Sequence, residues 1–437
     1  MSSLKSSFAE IDLPTLGATL ALVVIGILSI YSSGITAEGV LVSREYLKQI
    51  LWSVSGLLLM ALMVAFDYQR YKDYSFFIYV FFIIVLVYTR LFGRVVNGAR
   101  AWLGIGEVGI QPSEFAKVAV ILFLAQYLEA SEHENPLRRL LVSFGIVLLP
   151  VGLILSQPDF GTSLVFFPIL IFMIFVAGLD RRYIIFILAT GFLTIFLTVL
   201  PLWEKYILPN PTRFLFVLYK APYSYFLIAA AFLVLALSAW GYVSYKKSYY
   251  FWISYAALVV AGSLTASVLA HKALKEYQIM RLIVFMDPAI DPRGSGWNIL
   301  QSITAIGSGG FFGKGYLQGT QSHYRYIPQQ STDFIFSIVA EEWGFLGGFL
   351  VFGLFFILMR RCVGLLKSVR DRYAVYVVAG IMGMLFFHFV INAGMAMGIM
   401  PITGIPLFFL SYGGSSLWAV LMAVGILLGI SARRYRM

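Results

Sequence analysis

Residues 285–297 read FMDPAIDPRGSGW, with two Asp-Pro pairs, Asp287-Pro288 and Asp291-Pro292, ahead of Gly294 and Gly296. Proline fixes the backbone and glycine lets it turn, so the run is a shaped loop that presents carboxylates, groups able to act as general bases. Three further sets of residues could do chemistry. Glu114 and Lys117, in QPSEFAKVA, stand three apart on one helical face and can pair. Two readings of them stay open, a buried ion pair that fixes helix register and a pair that also meets substrate. Glu341 and Glu342, in IVAEEWG, stand about 8–9 residues into an apolar stretch, roughly 12–13 Å along a continuous helix, and acids at that depth face a polar interior or carry protons. His388 and Asn392 share a face of another apolar stretch, which suits hydrogen bonding between helices.

These groups need a scaffold, and composition says which kind. The chain has 437 residues, 60% hydrophobic and 12% charged, which puts it in the membrane class. About 20 apolar helical residues cross a hydrocarbon core. About twelve such stretches can be laid down, at 14–33, 49–66, 75–92, 115–130, 138–156, 160–179, 183–200, 222–245, 250–270, 333–360, 372–398 and 404–432. The expected fold is therefore an all-α integral membrane protein, a polytopic helical bundle forming a single membrane domain over 1–437. The first stretch follows the acid-containing leader FAEIDLP without a small-residue cleavage site, so it reads as a retained helix.

Basic residues gather in DYQRYKDY, the EASEHENPLRR loop, LDRRY, YKKSYY, RRCVGLLKSVRDR and ARRYRM, which the positive-inside rule places in the cytoplasm with both termini. The outer segments then include a loop at 93–114 and a long one at 271–332, whose content (WNILQSITAIGSGGFFGKGYLQG) suits short helices at the outer surface. That long loop is either a structural cap or a functional element. The formal charge of +11 follows from this bias and from anionic membrane lipids, and carries no implication of nucleic-acid binding. The lone cysteine, Cys362, rules out an intrachain disulfide.

Motif tests are mostly negative. In GSGGFFGKG, Ser308 occupies the place of the first glycine of a phosphate-binding Walker loop and Gly315 follows the lysine. Four histidines and one cysteine offer no zinc-site spacing, so no dedicated metal site is expected.

Seven runs, NGARAW (97–102), QPSEFAK (111–117), QPDFGTS (157–163), DPRGSGWNILQS (291–302), GSGGFFGKG (307–315), STDFIFSIVAEEWG (331–344) and TGIPLFFLSYGGSS (403–416), resemble the SEDS family (shape, elongation, division and sporulation), in its rod-shape branch. The resemblance implies a peptidoglycan glycosyltransferase that polymerises lipid II at the outer face of the bacterial cytoplasmic membrane and works with a class B penicillin-binding protein transpeptidase. It makes Asp291 the catalytic acid/base and leaves Asp287 to shape the loop. Arg100, Trp102, Glu114, Lys117, Arg281, Gln301, Ser302 and Lys314 become substrate-binding candidates, and Asp333, Glu341 and Glu342 structural or proton-linked ones. The family usually has ten spans, so the stretch 222–270 reads as an extra hairpin. Two further departures are Ala101, in place of a frequent second arginine, and Pro328-Gln329, where the family has proline-glutamate.

Such a transfer needs one carboxylate base for an acceptor hydroxyl and cations to meet the departing lipid diphosphate. Arg100, Lys117, Arg281, Lys314 and Arg325 are available, and a divalent ion, Mg or Mn, is the alternative. The rival function is a lipid II flippase or transporter, with Glu114, Lys117 and Glu341 lining a path through the membrane.

Overall fold

A computed structural model describes residues 11–96, 98–105, 108–206, 214–218, 220–273, 276–292 and 294–434. The chain divides into two compact units, Met1–Leu179 with Asn298–Met437, and Asp180–Trp297. That is a finer division than the single membrane domain read from the sequence.

The first unit carries α1 (Leu13–Ser33), α2 (Glu45–Ala65), α3 (Tyr68–Phe92), α4 (Pro112–Ala130), α5 (Pro136–Ser156), α6 (Phe160–Leu164) and α7 (Phe166–Val176). The second carries α8 (Arg181–Tyr206), α9 (Tyr223–Tyr245), α10 (Ser248–Ala273), α11 (Glu276–Met286) and a 3-10 turn at Pro288–Ile290. Then come α12 (Ser295–Ser308), α13 (Thr320–His323), α14 (Ile335–Ser368), α15 (Arg372–Ala396) and α16 (Gly414–Arg433). Every expected apolar stretch overlaps a helix, the last of them only in part. Among the described residues ten helices are long and apolar enough to cross a membrane. Of the other two stretches, α4 carries Glu114, Lys117 and Glu129, and 160–176 is short.

Helix starts follow from local chemistry. Asp12, Asp67, Asn135, Asp159 and Asp371 each stand at an N-cap and accept a backbone N–H from the first turn. At the other ends, two buried arginines satisfy carbonyls that the helix cannot. Arg139 donates to Leu128 O and Ala177 O, and Arg433 to Gly429 O, Val64 O and Ala65 O.

Three departures from the sequence reading matter. The 93–114 loop folds into a three-stranded antiparallel sheet, β1 (Arg94–Val96), β2 (Ala99–Ile105) and β3 (Val108–Ile110), a local addition to the helical bundle. The last stretch is helical only from Gly414. Pro401, Gly404, Pro406 and Gly413 interrupt the pattern, and 401–413 runs as largely buried irregular chain, with Ile405, Leu407 and Leu410 fully enclosed. Finally, α14 is broken at Gly344 (φ 65°), where a Cβ would lie 2.2 Å from Gly313 N. The break comes after Glu341 and Glu342, which lie on the helical segment that begins at Ile335.

In the second unit α9 and α10 form the antiparallel hairpin expected at 222–270, packed along α8. Ser254 Oγ donates to Ser238 Oγ (2.9 Å), Thr198 Oγ1 to Ser267 Oγ (3.2 Å), and Tyr255 OH to Arg182 O (2.7 Å).

Candidate active site

The motif residues of the first unit converge through hydrogen bonds. Arg100 sits on β2 opposite Val95, donates its backbone N–H to Gln157 O (3.2 Å), and points its guanidinium to the surface near Leu91 O (3.4 Å). Trp102, half-buried, covers Gly109. Beside Gln157, Asp159 accepts from Gln111 Nε2 (2.7 Å), Thr162 Oγ1 (2.8 Å) and Thr162 N (3.2 Å). Gln111 N in turn donates to Ser415 Oγ (2.9 Å). Gly161 lies against Thr403 O, where a Cβ would approach to 2.4 Å. Sequence-distant runs thus meet in one polar patch. Gln111 and Asp159 were not among the sequence candidates, although both lie in quoted motifs. The available signal was a polar residue beside a proline, at the start of an apolar stretch.

Below that patch Lys117 is fully buried. Its Nζ donates to Glu114 Oε2 (2.9 Å) and to His388 Nε2 (3.0 Å) and lies 5.3 Å from the centre of the Phe408 ring. His388 Nδ1 donates to Pro406 O (2.9 Å), which fixes Nε2 as the acceptor for the ammonium. The ring stacks on Phe408 with centroids 3.6 Å apart. Asn392 Nδ2 donates to Asp333 O (2.9 Å) and Ile405 O (2.8 Å), and the Asp333 carboxylate lies beside Gly404. His388 bonds helix to helix, as expected, through Lys117, and both His388 and Asn392 also bond the irregular 401–413 chain.

Several remaining candidates of this unit make hydrogen bonds within it. Ser302 is buried, with its Oγ 2.5 Å from Ser337 Oγ and donating to Ala396 O (2.6 Å). Gln301 is half-buried on the same helix. Lys314 Nζ donates to Glu341 Oε1 (2.8 Å) and Thr320 Oγ1 (2.6 Å). Glu341 also accepts from Thr320 N and Gln321 N (both 2.8 Å) and from Ser322 N and Oγ (both 3.1 Å). Glu342 Oε1 accepts from Ser32 Oγ and faces His323 Nε2 at 3.2 Å, while His323 Nδ1 donates to Ile35 O (2.8 Å). The two neighbouring acids therefore pin residues 314–323 to α14 and α1.

In the second unit the Asp-Pro loop divides its labour. Asp287 accepts from Ala289 N (2.9 Å) as N-cap of the 3-10 turn, and Asp291 terminates that turn. Gly294 N donates to Asp291 O (3.3 Å). A Cβ on Gly294 would stand 2.3 Å from Asp291 Oδ2, and one on Gly296 2.1 Å from Pro288 O. Both glycines are therefore required for the half-buried carboxylate to sit where it does. Arg281 is half-buried on α11. Among the described residues no group of three or more His, Cys, Asp or Glu could hold a metal ion.

The fold defines a polytopic helical membrane protein with a polar patch built from its motifs. The profile of FtsW, RodA and SpoVE, described as "Cell cycle protein", matches residues 14–222 and 224–436, and the chain belongs to that family. It is 50% identical over 98% of both chains to "Peptidoglycan glycosyltransferase RodA" of Treponema pallidum. It is 34% identical over 96% of both chains to "Stage V sporulation protein E" of Bacillus subtilis. Among solved structures it superposes with a TM-score of 0.65, at 27% identity and covering 98% and 99% of the two chains, on one titled "Structural coordination of polymerization and crosslinking by a peptidoglycan synthase complex".

Two outcomes follow from this geometry. Lys117→Met or Glu114→Gln alone leaves a buried charge without its counter-ion and should cost roughly 3–5 kcal/mol, most of which the double change recovers. Thermal unfolding of the two single variants and the double in detergent checks this. The carboxylate of Glu342 raises the pKa of His323 above its usual range. The stabilisation from that ion pair is then fully present below an unfolded-state pKa of ~6.5 and disappears as pH rises through the higher folded value. Wild type should lose its stability advantage over His323→Gln across that upper window. An advantage constant from pH 5 to about 9, well past both values, would contradict the assignment.

Proposed function

We propose that the protein is a peptidoglycan glycosyltransferase that polymerises lipid II into glycan strands for cell elongation, with Asp291 as its general base. The observation that carries this reading is the 50% identity, over 98% of each chain, with the Treponema pallidum peptidoglycan glycosyltransferase. The loop geometry supports the residue assignment. Of the two Asp-Pro acids, Asp287 caps the 3-10 turn, while Asp291 ends it with Gly294 and Gly296 packed closely against it.

In the reaction an acceptor hydroxyl oxygen attacks the anomeric carbon of the donor sugar, and its proton passes to Asp291. The bond from that carbon to the diphosphate breaks, and the lipid diphosphate leaves with the electron pair, giving inversion. A carboxylate with reference pKa ~3.9 suffices when proton removal lags bond formation in an oxocarbenium-like transition state. Arg100 presents a surface guanidinium from β2 and is the first cation we assign to a diphosphate, with Arg281 as the second. The lysine ammonium groups are committed elsewhere: Lys117 and Lys314 are held by Glu114 and Glu341.

The basic residues at the inner helix ends support a cytoplasmic-membrane protein with both termini in the cytoplasm and the Asp291 loop outside. A class B penicillin-binding protein fits as the partner that crosslinks the nascent glycan, in keeping with the synthase complex on which the fold superposes. A flippase would line a path with its intramembrane charges, whereas Glu114, Lys117 and His388 are enclosed and satisfy one another.

Asp291→Asn should abolish strand formation from lipid II by the purified chain with its transpeptidase partner, leaving expression and partner binding intact. Asp287→Asn keeps an oxygen that can accept the Ala289 N–H, so it should change stability little and keep most activity. Near-normal polymerisation by Asp291→Asn would overturn the assignment. The α9–α10 hairpin is an accessory element in this reading, because it is apolar and its removal leaves the sidedness of later spans unchanged. A folded chain lacking 222–270 should retain part of the polymerase activity, and complete loss in the same assay would count against that role.

A further inference from the structure

An open groove of about 350 Å³ is lined by Phe312, Tyr316, Glu342, Trp343, Leu346 and Leu350, with Gly315 and Gly347. Its floor is a stripe of α14. Leu346, Gly347 and Leu350 share one face of the segment after the Gly344 break, and Trp343, just before it, packs against Gly347. Leu346 and Leu350 are 44% and 46% exposed, on a helix long and apolar enough to cross a membrane, so this part of the hollow faces lipid chains. The other end differs in character. There a single carboxylate, Glu342, stands with the rings of Phe312, Tyr316 and Trp343.

The hydrogen bonds of Glu342, from Ser32 and with His323, run through Oε1. A carboxylate has about four acceptor sites, so Glu342, which lines the hollow, keeps capacity for a further donor through Oε2. The charge is felt there: burial and, after it, Glu342 push the Tyr316 hydroxyl up to about 12. An acceptor oxygen flanked by aromatic faces suits a cation that brings N–H donors. It repels phosphate and diphosphate, and a quaternary ammonium has no N–H to offer it.

We propose that this groove binds a membrane phospholipid through a primary ammonium headgroup, seated between Glu342 and the aromatic rings, with an acyl chain along the Leu346–Leu350 stripe. The volume is at the lower end of the ~300–1,000 Å³ of small-molecule sites. It accommodates the headgroup and part of one chain and leaves the rest in the bilayer.

The test is native mass spectrometry of the full chain released from micelles containing phosphatidylethanolamine, phosphatidylcholine and phosphatidylglycerol in equal amounts. Retention of phosphatidylethanolamine over phosphatidylcholine by about tenfold is expected, the scale of one charge-assisted hydrogen bond. Phosphatidylglycerol should be retained least. Leu350→Trp fills the groove and should release lipid whatever its headgroup. Glu342→Gln should erase the preference for the primary ammonium. Because that change also unpairs His323, Tyr316→Leu serves as the second variant, and should weaken the same preference with Glu342 in place. Equal retention of the two zwitterionic lipids, preference for phosphatidylglycerol, or unchanged retention by Leu350→Trp would overturn the proposal.

Discussion

Residues 401–413 are largely buried without being helical, and the rest of the first unit is arranged around that constraint. In an apolar surrounding each unpaired peptide group costs several kcal/mol, so irregular chain persists there only where side chains complete its hydrogen bonds. Gln49 donates to Ser411 O and accepts from Gly413 N. Asn392 holds Ile405 O, His388 holds Pro406 O, and Ser411 accepts from Leu407 N while donating to Thr332 O. Tyr412 N reaches Ser331 O. Even the helix opposite gives way, since Gly26 of α1 faces Phe409 O where a Cβ would come within 2.5 Å.

The buried charges follow from the same segment. His388 is turned by Pro406 so that its free nitrogen meets Lys117, and Phe408 supplies a ring face to the same ammonium. Glu114 completes the set. A lysine in this position is tolerable only because three neighbours share its desolvation, and the carbonyl that orients one of them belongs to the irregular chain. The polar patch above is then a consequence. Gln111 and Asp159 lock the starts of α4 and α6 together, and Thr403 packs against Gly161.

Glu341 and Glu342 solve a second problem of the same type. Breaking α14 at Gly344 lets residues 309–315 run against its backbone, with Lys314 N donating to Glu341 O and Gly315 N to Glu342 O. The side chains of the two acids then point apart, one to the 320–322 amides and Lys314, the other to His323 and Ser32. Adjacent residues on a helix face different directions, so one Glu-Glu pair anchors two contacts.

The sequence by itself determined the helical membrane class, the approximate position of each apolar stretch, the pairing of Glu114 with Lys117, and the loop character of the Asp-Pro run. Each of these rests on local spacing or composition: apolar length, i to i+3 geometry, or the backbone limits of proline and glycine. Only the tertiary structure decided that 401–413 is not helix, that α14 breaks at Gly344, and that 94–110 pairs into a sheet. It alone brought His388 to Lys117 and turned Lys314 and Ser302 inward. Those outcomes depend on which distant group supplies the missing hydrogen bond or counter-charge. Gln49 lies 362 positions from Ser411, and His388 is 271 from Lys117, separations over which no periodicity in the chain carries information.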